Sequence, residues 1–152
     1  MDPSKRYNIS KWYLVKDIVL FIFVIMTDET FGKSYKLCSK KEITSLFEAK
    51  TSVKQFPFLL HFAEASLETE KRFQVVIAAP KRIFRKAHDR NRIKRLMREV
   101  FRKKKLILEN HLEKTNKQVA LFFIYTHKEE LPFEQLLQKM EHILLKLTRE
   151  IQ

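Results

Sequence analysis

Glycine and cysteine are almost absent from this 152-residue chain, which contains one residue of each. A single glycine, Gly32, excludes the glycine-rich loops that bind phosphates in P-loop and dinucleotide-binding proteins. A single cysteine, Cys38, excludes a disulfide within the chain, and free thiols are typical of a reducing compartment. We therefore expect a cytoplasmic protein without a nucleotide-binding loop of this kind.

Long hydrophobic runs are also missing. The unbroken apolar run near the N-terminus, residues 18–26, would span about 14 Å as a helix, whereas a bilayer core is about 30 Å thick. The residues that follow offer no small-x-small signal-peptide cleavage site. We interpret Met26 as the native start, residues 1–25 as a non-native or lineage-specific extension, and residues 26–152 as one domain. A membrane or export signal is the remaining alternative for the extension.

Acidic and histidine residues do not cluster as a hydrolytic metal site requires. No two histidines have the spacing of metal ligands, and the carboxylates are spread over loops and helix surfaces. We therefore predict no catalytic side chain and no metal site in the protein. Each histidine is interpreted as a surface or packing residue; they are His61, His88, His111, His127 and His142.

Basic residues, by contrast, are in large excess. The chain has 31 lysines and arginines against 18 acidic residues, a formal net charge of +13. Thirteen of the basic residues lie within residues 81–105, where Asp89 and Glu99 are the only acidic residues. This segment alone therefore carries a net charge of +11. Such a concentration on an otherwise nearly neutral chain predicts a docking surface for a polyanion rather than a disordered basic tail.

The apolar pattern predicts an α+β fold, an α/β sandwich with one sheet. Strands are expected at residues 56–62, 72–79 and 118–125. Residues 63–71 are polar and indicate a hairpin between the first two strands. The strand at 72–79 is apolar on both faces at its middle, which favours a central position in the sheet.

Helix signals separate these strands. Ser39 and Glu42 form a capping box, which predicts a first helix to about residue 50. Asp89 is the expected N-cap of a basic helix to about residue 105. Pro132 is well placed to open a final helix with one apolar stripe. The expected architecture is therefore about four strands packed by three helices.

The basic helix is amphipathic. At 100° per residue its apolar side chains share one face, which we expect to pack on the core: Ile93, Leu96, Met97, Val100 and Phe101. The other face carries an i, i+4 row of Arg90, Lys94, Arg98 and Arg102, flanked by Asn91, Arg92 and Arg95. Acidic partners are nearly absent from the helix, so intrahelical salt bridges do not explain the row. Phosphate groups would neutralise it.

Residues 84–98 resemble the signature of the bacterial ribonuclease P protein subunit, and every signature position is filled. The positions are Phe84, Ala87, Arg90, Asn91, Arg92, Ile93, Lys94, Arg95, Leu96, Met97 and Arg98. The resemblance covers about residues 31–150. It implies a ribosomal protein S5 domain 2-like fold, with a mixed sheet and a left-handed βαβ crossover, an exception to the usual right-handed rule.

The resemblance also implies a function: assistance to a catalytic RNA that removes the 5′ leader from precursor tRNA. It implies that the basic helix binds the RNA subunit, through Arg90, Asn91, Arg92, Lys94, Arg95, Arg98 and Arg102. The first helix and the sheet would form a cleft for the leader, with Phe47, Ile43, Leu59 and His61 inside and Lys81 and Arg82 at the rim. Ile43 and His61 replace the aromatic residues expected there, and Phe47 could instead belong to the core.

The remaining implications concern partners and chemistry. The partners would be the catalytic RNA and precursor tRNA, with no stable protein partner and no membrane. The protein would bind no cofactor itself, and Mg²⁺ in the holoenzyme would be held by RNA. A structural RNA-binding protein, such as a ribosomal protein, and a membrane-associated basic protein are the alternatives.

Overall fold

The computed structural model describes residues 31–152. The predicted extension, residues 1–25, lies outside the described residues. The described chain has four strands: β1 (Ser52–Gln55), β2 (Phe58–Glu64), β3 (Phe73–Ala78) and β4 (Val119–Tyr125). It has four α-helices: α1 (Lys40–Glu48), α2 (Ala87–Lys104), α3 (Leu106–Thr115) and α4 (Phe133–Glu150). A short 3₁₀ turn, Lys33–Tyr35, precedes α1.

The strands form one mixed sheet in the order β1-β2-β4-β3. β2 pairs antiparallel with both β1 and β4, while β3 runs parallel to β4. The α2–α3 segment connects this parallel pair, because parallel neighbours require a long crossover. The predicted α+β class and mixed sheet are confirmed. The left-handedness of the crossover remains a prediction.

Two predictions about strand neighbours are wrong. Residues 63–71 do not form a hairpin, because β4 lies between β2 and β3. β3 is also an edge strand of the four rather than a central one. Its outer edge is nevertheless covered by residues 31–37, which we name the edge segment: the Leu37 amide donates to the Val75 carbonyl at 3.3 Å. This cover and the helices explain why β3 has an apolar sequence.

The helix count also differs, since residues 31–152 form four α-helices instead of the three predicted. Lys105 separates α2 from α3, and the amides of Leu108 and Glu109 both donate to its carbonyl. Only Leu108 and Leu112 of α3 are fully buried, which is too short an apolar pattern to identify a separate helix from sequence. β1 was also not predicted, because it is a four-residue strand in which exposed and half-buried side chains alternate.

Helix starts follow local capping rules. The Ser39 hydroxyl accepts a hydrogen bond from the Glu42 amide at 3.4 Å, which confirms the serine half of the predicted capping box. Pro132 is the N-cap of α4, which confirms the predicted opening. At α2 the N-cap is Lys86, and Asp89 lies instead in the first turn. There its carboxylate favours the positive end of the helix dipole.

The two faces of the sheet are covered to different extents. One face packs against α2, α3 and α4 and forms the main core, which includes the predicted apolar residues of α2; Leu96 alone of that set is half-buried. Among residues 31–152, the helix on the opposite face is α1, whose Leu46 packs in a smaller cluster with Leu37, Leu67 and Ala120. The strand residues of this second face are mostly half-buried rather than fully buried.

A buried polar network ties the edge segment to the junction of α2 and α3. Lys105 is 1% exposed, and its ammonium donates to both carboxylate oxygens of Glu109, at 3.2 and 3.3 Å, and to the Tyr35 hydroxyl at 3.2 Å. Tyr35 in turn donates to Glu109 at 2.6 Å, and its ring lies 4.7 Å from the ammonium. The network satisfies a cation that could not otherwise be buried.

We predict that Glu109→Gln lowers the free energy of unfolding by about 3 kcal/mol, because it leaves the Lys105 charge buried without a counter-ion. Urea denaturation followed by circular dichroism would measure this. Glu64→Gln is the matched control: it removes an exposed ion pair with Lys117 and should change the free energy by less than about 1 kcal/mol. Equal effects of the two substitutions would contradict the role of the network.

Candidate nucleic-acid interface

The outward face of α2 presents a cationic surface. Asn91, Arg92, Arg95 and Arg98 are exposed, while Lys94 is half-buried. Arg95 and Arg98 form no ion pair with any residue in the range 31–152. Opposite this surface, Ile93, Met97, Val100 and Phe101 anchor the helix in the core. Packing therefore holds the like charges together despite their mutual repulsion.

Arg90 differs from the rest of the predicted row. It is half-buried, and its Nη1 donates to the carbonyls of Phe84 and Arg85 at 2.9 and 2.8 Å. The guanidinium thus closes the loop that precedes α2. This loop also carries Lys81 and Arg82, so Arg90 positions other cations as well as contributing its own charge.

Two arginines of the surface have acidic partners. Arg92 pairs with Glu130 at 2.7 Å, and Arg102 binds Glu99 through two hydrogen bonds of 2.9 and 2.7 Å. The hydrogen bond from Arg102 lowers the pKa of Glu99 below its usual value. The row itself thus contains one intrahelical salt bridge, that of Arg102, so such pairs do not account for the other cations of the row. Exposed pairs of this kind are worth about 0–1 kcal/mol and exchange readily for phosphate.

A second surface lies between α1 and the sheet face that α1 only partly covers. The Phe47 ring contacts His61 on β2 and Phe122 on β4, with centroids 5.2 and 5.0 Å apart. Phe47 is 43% exposed, which shows that it is not a core residue. Ile43, one turn earlier on α1, is half-buried and packs beside Phe122 in the smaller cluster. We name this aromatic groove the α1 cleft.

The floor of the α1 cleft continues past α1 along the sheet. His61 pairs in register with Phe122, and two residues away Leu59 pairs with Ile124, which pairs in turn with Ala78 on β3. Leu59, Ile124 and Ala78 are half-buried. The structure thus brings together all four residues predicted for the cleft interior.

Basic residues lie at one end of this floor. Lys81 and Arg82 are exposed in the turn after β3, at the end where Ala78 and Ile124 lie. Lys54 of β1 pairs with Leu59 and is also exposed. Burial, and secondarily the charge of Lys54, lowers the pKa of His61 below its ordinary value of 6.5. His61 is therefore a neutral ring at pH 7.

Phe122 and Lys54 are cleft residues that the sequence pattern does not predict. The strand at 119–125 is apolar on both faces, so no alternation distinguishes the cleft residues from the core residues. Lys54 lies in β1, a strand that was not predicted. Only the pairing register, which brings both side chains beside β2, identifies them.

Metal-binding side chains do not cluster within residues 31–152. Within residues 31–152 no group of three or more histidine, cysteine or acidic side chains could hold a metal ion. In that range, no helix combines the length and apolar character needed to cross a membrane. The basic residues define one candidate surface, on α2. The aromatic residues define the other, the α1 cleft.

Comparison with known proteins identifies the family. The family model described as Ribonuclease P matches residues 31–148. The chain belongs to the ribonuclease P protein family. The match includes α2 and the α1 cleft, so both surfaces lie within the region that defines this family.

Individual ribonuclease P proteins agree with this assignment. The chain is 38% identical over 72 residues to the ribonuclease P protein component of Legionella pneumophila, a match that covers 47% of this chain and 60% of that protein. It is 26% identical over 124 residues to the component from Porphyromonas gingivalis, covering 80% and 90%. The ribonuclease P protein structure from Thermotoga maritima superposes with a TM-score of 0.56 at 21% identity, covering 77% and 97%, and so shares the fold.

We predict that Phe47→Ala lowers the free energy of unfolding by less than about 1.5 kcal/mol, because the ring is already partly in water. Leu46→Ala, one residue earlier and fully buried, should cost about 2–5 kcal/mol. Chemical denaturation of both variants makes the comparison. If Phe47→Ala destabilised the protein as much as Leu46→Ala, the stability role inferred from the exposure of Phe47 would be wrong.

The lowered pKa of His61 predicts a pH effect on stability. Between pH 6.5 and the lower folded-state pKa, the unfolded chain binds a proton that the folded chain does not. Wild-type protein should therefore lose stability relative to His61→Asn as the pH falls from 7.5 to 5. Denaturation at several pH values tests this, and parallel curves would contradict it. Lys54→Gln, made in the protein that keeps His61, should reduce the difference in pH dependence from His61→Asn but not remove it. Burial, which this substitution leaves in place, is the larger cause of the lowered His61 pKa.

Proposed function

We propose that this chain is the protein component of a ribonuclease P ribonucleoprotein. It binds the catalytic RNA and the 5′ leader of precursor tRNA, and so assists endonucleolytic removal of the leader in the cytoplasm. The observation that carries this proposal is the pair of chemically different surfaces on one small domain, one cationic and one aromatic. Family membership supports the same conclusion.

The cationic surface of α2 suits the RNA subunit. Exposed arginines such as Arg95 and Arg98 can each bind a phosphate through two hydrogen bonds. Phosphate contacts provide affinity and fix orientation without reading sequence. Arg92 and Arg102 can contribute by exchanging their carboxylate partners for phosphates, and Asn91, Lys94 and Arg90 complete the surface.

The α1 cleft suits a single strand instead. Unpaired bases bind by stacking on aromatic side chains, and the cleft offers the rings of Phe47, Phe122 and neutral His61. Lys54, Lys81 and Arg82 stand where a sugar-phosphate backbone crossing the floor would pass. A leader bound here would raise the affinity for precursor tRNA over the mature product, which has no leader.

The hydrolysis itself is assigned to the RNA. We propose that Mg²⁺ ions held by RNA phosphates supply the Lewis acid and the activated water for phosphodiester cleavage. Within residues 31–152, no group of three or more histidine, cysteine or acidic side chains converges where an ion could bind. The protein contributes neutralising charge, which reduces repulsion between the phosphates of the two RNA molecules.

The decisive test is precursor-tRNA cleavage by a bacterial ribonuclease P RNA at low Mg²⁺, with and without the chain. Strong stimulation, with release of an intact 5′ leader, is the expected result. Tight RNA binding that left cleavage unchanged would instead support a purely structural RNA-binding protein.

Variants on α2 test the docking surface within the same assay. Arg95→Ala and Arg98→Ala should each weaken binding to the ribonuclease P RNA and reduce the slope of log affinity against log salt by about 1 for each phosphate that is no longer bound. Arg149→Ala, an exposed arginine on α4, is the matched control and should leave affinity and slope unchanged. If all three variants bound the RNA with the same affinity and the same salt slope, α2 would not be the docking surface.

A further inference from the structure

An exposed aromatic pair lies beyond the α1 cleft, at the end of the sheet. Phe56, in the turn between β1 and β2, is 55% exposed, more than any other large apolar side chain among residues 31–152. Its ring meets that of His127, which follows β4, with centroids 4.9 Å apart and planes at 65°. Neither ring belongs to the residues assigned above to the α1 cleft.

The backbone holds this pair in place. The amide and hydroxyl of Thr126 both donate to the carbonyl of Pro57, at 2.8 and 2.9 Å. These bonds join the residue before His127 to the residue after Phe56, and Pro57 is buried. The rings are thus presented from a fixed support, which reduces the entropy lost when a ligand binds.

The pair follows directly from the two strands that carry the cleft floor. Phe56 lies three residues before Leu59, and His127 three residues after Ile124, and Leu59 and Ile124 are paired in the floor. At about 3.3 Å per residue, both strands lead from the floor to the pair over roughly 10 Å. The pair therefore lies at the end of the sheet, about 10 Å beyond the last paired residues of the floor.

The charges around the pair favour a polyanion. Lys54 lies two residues before Phe56, Lys128 follows His127, and both are exposed. Lys81 and Arg82 stand at the same end of the sheet, after β3. The nearby acidic residues are Glu129 and Glu130, and Glu130 is paired with Arg92.

We propose that Phe56 and His127 form a second stacking platform, which binds a nucleobase of the 5′ leader outside the α1 cleft. The inference rests on the proposed function and extends it: the leader contacts two aromatic sites, so binding depends on leader length. Because every base has a π-face, the platform selects single-stranded RNA without selecting a sequence. The exposed ring of Phe56 is the principal contact, and His127 supports it.

The test measures the affinity of holoenzyme, assembled from the chain and a bacterial ribonuclease P RNA, for precursor tRNAs with successively longer leaders and for mature tRNA. With wild-type protein, affinity should rise in two steps as the leader reaches the first and then the second site. Phe56→Ala should abolish the second step, a loss of about 5- to 100-fold, and leave mature and short-leader tRNA unaffected.

Matched variants separate stacking from other effects. Phe56→Tyr keeps a ring and should retain the second step, whereas Phe56→Leu keeps an apolar side chain without a ring and should lose it. Leu145→Ala, at an exposed apolar residue on α4, should have no effect at any leader length. Thermal melting of each variant checks that the fold is retained.

The platform would be overturned if Phe56→Ala changed the affinity at no leader length, or if it caused an equal loss for short and long leaders. If wild-type holoenzyme failed to distinguish any precursor from mature tRNA, the proposed function itself would fail, which is a different and recognisable outcome. Retention of the second step in Phe56→Leu would show apolar contact rather than stacking, and would also overturn the proposal.

Discussion

The position of β4 between β2 and β3 is the constraint on which both surfaces depend. Its parallel pairing with β3 requires a crossover, and that crossover is the segment containing α2. Its antiparallel pairing with β2 brings Phe122 beside His61 and Ile124 beside Leu59. The same strand therefore brings the cationic helix to one face of the sheet and forms the floor of the α1 cleft on the other. A register shift of one residue would exchange core and cleft side chains.

The unequal cover of the two sheet faces separates the main core from the α1 face. Three helices bury the main core, so the fold does not depend on closing the α1 face. The repulsion along α2 amounts to a few tenths of a kcal/mol per like-charged pair, whereas burying a side chain such as Phe101 contributes about 1.5–3 kcal/mol. Ion pairs such as Arg102–Glu99 reduce the repulsion further. The cationic surface can therefore exist before its partner arrives.

Features fixed by neighbours in sequence were predictable, and features fixed by distant residues were not. The serine half of the capping box at Ser39, the apolar face of α2 and the opening of α4 at Pro132 are local signals, and the structure confirms them. The order of strands is not local: a hairpin between β2 and β3 followed the general tendency of consecutive strands to pair, and it was wrong. Arg90 shows the same limit within the site, since helical periodicity cannot show that its guanidinium turns back to the loop before α2.

The composition of the α1 cleft suggests how selective the protein should be. Its floor consists mainly of Leu59, Phe122, Ile124 and Ala78, which have no side-chain hydrogen-bonding groups, and His61 is the main polar exception. Reading a base requires donors and acceptors at its edges, whereas stacking requires only a flat apolar partner. We therefore expect affinity for single-stranded leaders with little preference among the four bases. In the proposed function, such tolerance makes recognition depend on the presence of a leader rather than on its base sequence.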